Sequence, residues 1–206
     1  MSTVTVIGTG NMGTQIATLA AKGGAQVQVL DRVADKAAAL AGSVGGTPGV
    51  VGDALTGDIV VLAVPYPALD ELLGTYADQL AGRTVVDITN PVDFTTFDSL
   101  VVPADSSAAA QLAARVPGAA VLKAFNTTFA GALAAGEVGG QPATVLVAGD
   151  DAAAKTAFTD VFGPAVGVVD VGSLRRAREL EALGFLQITL AAGGSTSWGT
   201  GFTLVR

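Results

Sequence analysis

"VTVIGTGNMGTQIA" (residues 4–17) carries the strongest architectural signal in the chain: a β-branched apolar run passes straight into glycines at 8, 10 and 13, and helix-forming residues follow. Alone, G-x-G-x-x-G signals no more than a tight turn. Closing a strand and opening a helix, it becomes a dinucleotide-binding fingerprint. Gly8 then permits the turn, Gly10 lets the backbone approach a pyrophosphate, and Gly13 lets helix and strand pack closely. Free amides and the positive end of the helix dipole favour phosphate at this point.

Outward from this stretch, short β-branched runs alternate with Ala- and Leu-rich segments of helical spacing. Strands are expected near 3–8, 26–31, 58–64, 84–88, 119–123, 143–148 and 166–171. Helices are expected near 11–23, 34–41, 67–80, 105–115, 129–135, 151–162 and 174–191. That alternation predicts an α/β fold, a doubly wound parallel sheet of the Rossmann type. "DIVVLAVP" (58–65) is apolar without alternation, as in a central strand covered on both faces. The glycine-rich segment 41–57 is read as a short third strand set in loops. Asp151 is expected to cap its helix, and Gly23 with Gly24 to stop the first one. A chain of 206 residues supports one core. Residues 1–172 are expected to form the dinucleotide-binding domain, with 173–206 a C-terminal helix and tail that close the acceptor site without folding independently.

Composition narrows the chemistry. The net charge of -7, from 11 Lys and Arg against 18 Asp and Glu, repels phosphate polymers and anionic lipid, so neither nucleic acid nor membrane is an expected partner. No charged leader precedes the first apolar run and none of the apolar runs reaches the roughly 18 residues of a membrane span, so a cytoplasmic location is expected. The chain has no Cys and no His. Disulfides, thiolate nucleophiles, Ser-His pairs and the commonest metal ligands are therefore absent, and neither a metal site nor a catalytic side chain is assigned. Chemistry of this kind borrows a cofactor's reactivity.

At the end of the second strand the pattern points two ways. Asp31 lies about 20 residues past the glycines, where an acidic side chain accepts from the adenosine ribose and favours NAD. Arg32 and Lys36, one helical turn apart, are placed to hold a 2′-phosphate together. They fit equally a solvated first turn with Arg32 paired to Asp35. The residues alone leave NAD and NADP open.

"VIGTGNMG" (6–13), "DRVADK" (31–36), "VVLAVPYPAL" (60–69), "VVDITNPVD" (85–93) and "VLKAFNTTFA" (121–130), taken together, resemble the family of NADP-dependent oxidoreductases of the deazaflavin coenzyme F420. The core fold of that family also occurs in the cytosolic domain of the transmembrane metalloreductases. The similarity covers most of the first 135 residues. It implies that Thr9, Gly10, Asn11 and Met12 contact the pyrophosphate and that Arg32 and Lys36 hold the 2′-phosphate of NADP(H). Asp31 stands where family members often carry a small hydroxyl residue, which sets a carboxylate beside that phosphate. Ala63, Val64 and Pro65 would lie along the nicotinamide ribose. Asn90 (with Pro91) and Asn126 (with Thr127) would reach the carboxyl edge of the sheet, where open α/β sheets bind ligands. Lys123 is either part of that edge or a strand-end lysine reaching solvent.

Carbonyl reduction wants a positioned proton donor, and in a chain without His or Cys the unusual candidates are Tyr66, Tyr76 and Lys123. Hydride transfer between NADP(H) and coenzyme F420 asks mainly that two rings be stacked and kept dry, which the composition suits. A reductase of flavin or ferric chelate, or a non-catalytic NAD(P)-binding redox sensor, are the alternatives. Trp198 and Phe202 in the last 22 residues either line the acceptor site or finish the core or a homodimer contact. Arg175, Arg176 and Arg178 either pair with Glu179 and Glu181 on a solvated helix face or anchor an anionic coenzyme tail.

Overall fold

The computed structural model describes residues 2–204, so the last two residues of the expected closing segment lie outside the described residues. The chain runs β1 (Thr3–Ile7), α1 (Asn11–Lys22), β2 (Gln26–Asp31), α2 (Ala34–Val44), β3 (Thr47–Val50), β4 (Ile59–Leu62), α3 (Leu69–Leu80) and β5 (Thr84–Asp87). It continues with α4 (Ala108–Arg115), β6 (Ala120–Ala124), α5 (Ala130–Ala135), β7 (Glu137–Val138), β8 (Gln141–Pro142), β9 (Thr144–Gly149), α6 (Ala152–Phe162), β10 (Gly167–Gly172) and α7 (Ala177–Ala192). The sheet order is β10-β9-β6-β5-β4-β1-β2-β3. Chain order reverses at β1, with β2 on one side and β4 on the other, which is the switch point where such sheets bind ligands.

The apolar run at β4 behaves as its composition requires. Ile59 and Val61 enter the core beneath α1, α2 and α6, while Val60 and Leu62 enter the one beneath α3 and α4. β3 is the edge strand and tolerates Pro48, since an edge residue need not donate on both sides. Asp151 caps α6 by accepting from the Ala154 amide at 2.8 Å, and Gly23 follows the end of α1. α4 starts later than its composition suggested, because Ser107 supplies the cap by accepting from the Ala110 amide at 3.0 Å.

Two strands depart from a wholly parallel sheet. β9 pairs antiparallel with β6, and β10 runs with β9. After β6 the chain makes only the six-residue α5, ends it on left-handed Gly136, and turns through Gly139-Gly140 (φ 58° and 75°) in the small hairpin β7–β8. Neither element carries it to the far edge, so it re-enters the sheet backwards. Among the described residues no helix is long and apolar enough to cross a membrane.

Lys123 neither reaches solvent nor lines a ligand cleft. It is 0% exposed, with Nζ at 2.9 Å from both Asp87 Oδ2 and Glu181 Oε1, and it donates to the Thr89 carbonyl. Glu181, expected on a solvated face beside the arginines, instead faces the sheet and accepts from the Ala108 and Ala109 amides at 2.9 and 3.3 Å. The cluster thus joins β5, β6, the start of α4 and α7. Removing the ammonium leaves two carboxylates buried without a counter-charge, so Lys123→Met should cost about 3–5 kcal/mol in urea unfolding.

Burial pushes the Glu181 carboxyl above its ordinary value of 4.5, and Asp87 on the same ammonium adds to the rise, against lowering by Lys123 and the Ala108 amide. A carboxyl raised in the folded state binds its proton more tightly there. Its contribution to stability is full below the ordinary value and is lost as pH rises through the folded one. Relative to Glu181→Gln, the natural chain should therefore lose stability in urea titrations as pH rises above the ordinary carboxyl value.

Candidate dinucleotide and acceptor site

β1 delivers the chain to Gly8 at φ 108°, with the Gly8 amide donating to the Leu30 carbonyl at 2.7 Å. A Cβ on Gly8 would stand 2.3 Å from the Ala63 carbonyl oxygen, and one on Gly13 would stand 2.0 Å from the Gly8 carbonyl oxygen. Both positions exclude any side chain. A Cβ on Gly10 meets nothing within 4 Å, so here the missing side chain leaves open room above the backbone. Gly10 is the N-cap of α1 and has no side-chain cap. Among the described residues the amides of Gly10, Asn11, Met12 and Gly13 have no acceptor, and the first helical bond is Thr14 N–H to the Gly10 carbonyl at 2.9 Å. Free amides, open space and the helix dipole together fit a pyrophosphate. Thr9 differs from its neighbours. Its amide and hydroxyl both donate to Asp31 Oδ2, at 3.0 and 2.7 Å, so its donors are already engaged.

On one side of this loop lies a cleft of about 290 Å³ lined by Asp31, Arg32, Lys36 and Glu71. Asp31 Oδ1 accepts from the Val33 amide at 2.9 Å. Burial pushes the Asp31 carboxyl up, but the bonds from Thr9 and Val33 and the charge of Lys36 outweigh it and hold the group below its ordinary value. Arg32 does not pair with Asp35. Its guanidinium stands 3.8 Å from Glu71 Oε2 with the side chain 74% exposed, a contact worth little in water, so the group is available to a ligand. Ala63, Val64 and Pro65 line this same cleft, because the end of β4 adjoins that of β1. They share it with the two cations and are absent from the lining of the cleft across the loop.

That second cleft, about 630 Å³, opens from Asn11 and Met12 along the carboxyl edge of β5 and β6. Asn90 and Asn126 meet there and brace each other. Asn90 Nδ2 donates to the Asn126 carbonyl, while Asn126 Nδ2 donates to Asn90 Oδ1 and to the Leu180 carbonyl of α7, all at 2.9 Å. The walls are Phe94, Phe129 and Trp198, the last two with ring centroids 5.1 Å apart. The tail holds Trp198 in place through a bridge between Thr128 and Gly201 and a bond from Thr203 Oγ1 to the Pro142 carbonyl at 3.0 Å. Phe202 lies elsewhere, in a small hollow with Leu183 and Leu204. Phe94 lies in the long connection after β5, outside the stretches quoted above, and Phe129, within the 121–130 stretch but given no role there, is the N-cap of α5.

None of the three expected proton donors lines this cleft. Tyr66 donates to Gln111 Oε1 at 2.7 Å, the Tyr76 hydroxyl accepts from the Gly52 amide at 2.6 Å, and burial pushes both phenols up. Arg176 and Arg178 lie 3.6 and 3.2 Å from Glu179 and likewise stay off its walls. A further cavity of about 580 Å³ opens at the opposite edge of β5 and β6. Its Arg83 is engaged by the Gln79, Gly57 and Leu55 carbonyls, and its Asp151 caps α6.

A cradle of free amides at the switch point of a mostly parallel sheet defines the class as a Rossmann-fold dinucleotide-binding protein. Within that class, residues 3–91 match the family of NADP oxidoreductases that are coenzyme F420-dependent, in agreement with the resemblance read from the motifs. The chain is 32% identical to the rat (Rattus norvegicus) metalloreductase STEAP3 over 182 residues, 87% of this chain, and spans 36% of that relative's length. A crystal structure from Arthrobacter sp. FB24, provisionally assigned as an F420-dependent NADP reductase, superposes with a TM-score of 0.86 at 26% identity over 100% of both chains. The hypothetical protein SMa0349 of Sinorhizobium meliloti superposes at 0.73 and 27% identity over 84% of this chain and 86% of that one.

If Arg32 meets the 2′-phosphate, Arg32→Ala should weaken NADPH roughly tenfold or more in a binding titration and change NADH less than about twofold. An unchanged ratio between the two would remove Arg32 from that role.

Proposed function

We propose that this chain moves hydride between NADP(H) and the deazaflavin coenzyme F420. The observation that carries the reading is the aromatic-walled cleft that begins at the free amides of α1 and has no free acid or base on its walls. Gly10, Asn11 and Met12 would hold the pyrophosphate, with Arg32 and Lys36 on the 2′-phosphate. Asn90 and Asn126, locked to one another, give the floor of the second cleft a fixed shape. Phe94, Phe129 and Trp198 offer flat apolar faces to a second ring and exclude water between the two. When bound, the nicotinamide and the deazaflavin supply the redox chemistry themselves, so the side chains need only position and shield them.

A second reading keeps the site and changes the acceptor to a flavin or a ferric chelate; the metalloreductase relative favours it. A pure redox sensor has no need of a second ring-sized cleft beside the first, which weighs against that alternative.

Mixing the protein with NADPH and oxidised deazaflavin should bleach the visible band of the deazaflavin. Absence of bleaching while NADPH is shown to bind overturns the F420 reading, and turnover with flavin or ferric chelate in the same panel would replace it. Trp198→Ala should raise the acceptor KM about tenfold and leave the NADPH Kd unchanged.

A further inference from the structure

α7 is apolar on two opposite faces. Leu180, Gly184, Gln187, Ile188 and Ala191 are buried toward the body of the chain. On the other side Ala182 and Leu186 are exposed, with Phe185 and Leu190 half-buried beside them at helical spacing. A surface helix ordinarily places charged residues there. The sequence instead has no charged side chain from Ala182 to Leu204.

Apolar hollows flank this ridge. On one side Leu100, Val102 and Pro103, in the connection before α4, form a groove with Ala182 and Phe185, and Val101 among them is 54% exposed. On the other side Leu183 lies with Phe202 and Leu204 of the tail, which are 49% and 51% exposed. Counting Leu186, four of the eight large apolar side chains left exposed among the described residues border this one helix. Gathered in one patch rather than scattered, such side chains mark an interaction surface.

Charge indicates the partner. The chain carries -7, so two copies repel over most of their surface, and this uncharged patch is exempt. At its head Arg175, Arg176 and Arg178 place three of the eleven cations within four residues, with Glu179 beside Arg176 and Arg178. They stand at the start of α7, the positive end of its dipole, where cations are unfavourable. A second copy laid antiparallel across the ridge brings the negative, C-terminal end of its own α7 beside them. Two-fold symmetry makes the same contact twice.

We propose that the outward face of α7 is the contact between two copies of this chain, crossing antiparallel about a two-fold axis near Leu186. Leu186 packs on its own counterpart, and Phe202 and Leu204 are covered at the margin. The same tail carries Trp198, so the pairing also braces a wall of the aromatic cleft. The inference rests on neither the dinucleotide nor the acceptor assigned above.

The natural chain has no Cys, so a single introduced cysteine reports on the contact. Leu186→Cys, at the axis, should give a disulfide-linked dimer on mild oxidation. Glu179→Cys should not, because seven residues of helix place it roughly 10 Å from the axis and about twice that from its counterpart, beyond disulfide reach. In sedimentation at about 20 μM the natural chain should show twice the mass of one chain, and Leu186→Lys should show a monomer with an unchanged far-ultraviolet circular dichroism spectrum. Val50→Lys, at a 38% exposed valine of the opposite edge strand β3, should leave the dimer intact. A monomeric natural chain overturns the proposal, and so does a dimer that survives Leu186→Lys or is broken by Val50→Lys. Cross-linking at Glu179→Cys as efficient as at Leu186→Cys overturns it as well, since the two helices would then run parallel. If Leu186→Lys does not fold, the Leu186→Cys cross-link decides.

Discussion

The ammonium of Lys123, shared between Asp87 and Glu181, is the interaction on which the aromatic-walled cleft depends. A charge buried this deeply is tolerable only when paired and hydrogen-bonded, so its three acceptors fix where β5, β6 and α7 stand. From that one docking point the rest of α7 follows. Leu180 offers its carbonyl to Asn126, Gly184 packs against Asn90, and Gln187 reaches the Thr200 carbonyl of the tail. The tail in turn sets Trp198 against Phe129. An ion cluster that lines none of the aromatic-walled cleft thereby determines its shape.

The dinucleotide side is built by different means. Gly8, Gly13 and Ala63 are held by backbone contacts so close that no side chain fits between them. This half is made of residues near one another in sequence, with β1, α1 and β2 following directly. Because its constraints are local, it was legible: the glycine spacing, the strand before it, the helix after it and the cations past β2 all stand in one short stretch. The central place of β4 was legible too, since a strand covered on both faces needs apolar residues at every position.

What could not be read depends on partners far apart in the chain. An apolar run looks the same whichever way its strand points, so the reversal of β9 left no trace in composition. Lys123 reads as a strand-end lysine until Glu181 is brought to it by α7. Asp31 has the residue type and position of a ribose acceptor, and only the conformation of Thr9 shows that its oxygens are in use. Phe94 and Phe129 follow no periodicity because they lie outside the helices and strands, and the long connection between β5 and α4 is what carries Phe94 to the cleft.

The reversal of β9 has a consequence for how such a chain can vary. It brings the start of the strand, and the hairpin before it, to the edge where the tail docks on Thr128, Pro142 and Thr144. The Gly139-Gly140 tip of that hairpin is exposed and shares no contact with the glycine loop. Tips of this kind accept inserted residues with little effect on the sheet. The support on which the tail rests is thus a module that can be lengthened or trimmed at one turn, while the glycine loop, locked by backbone against backbone, has no comparable freedom.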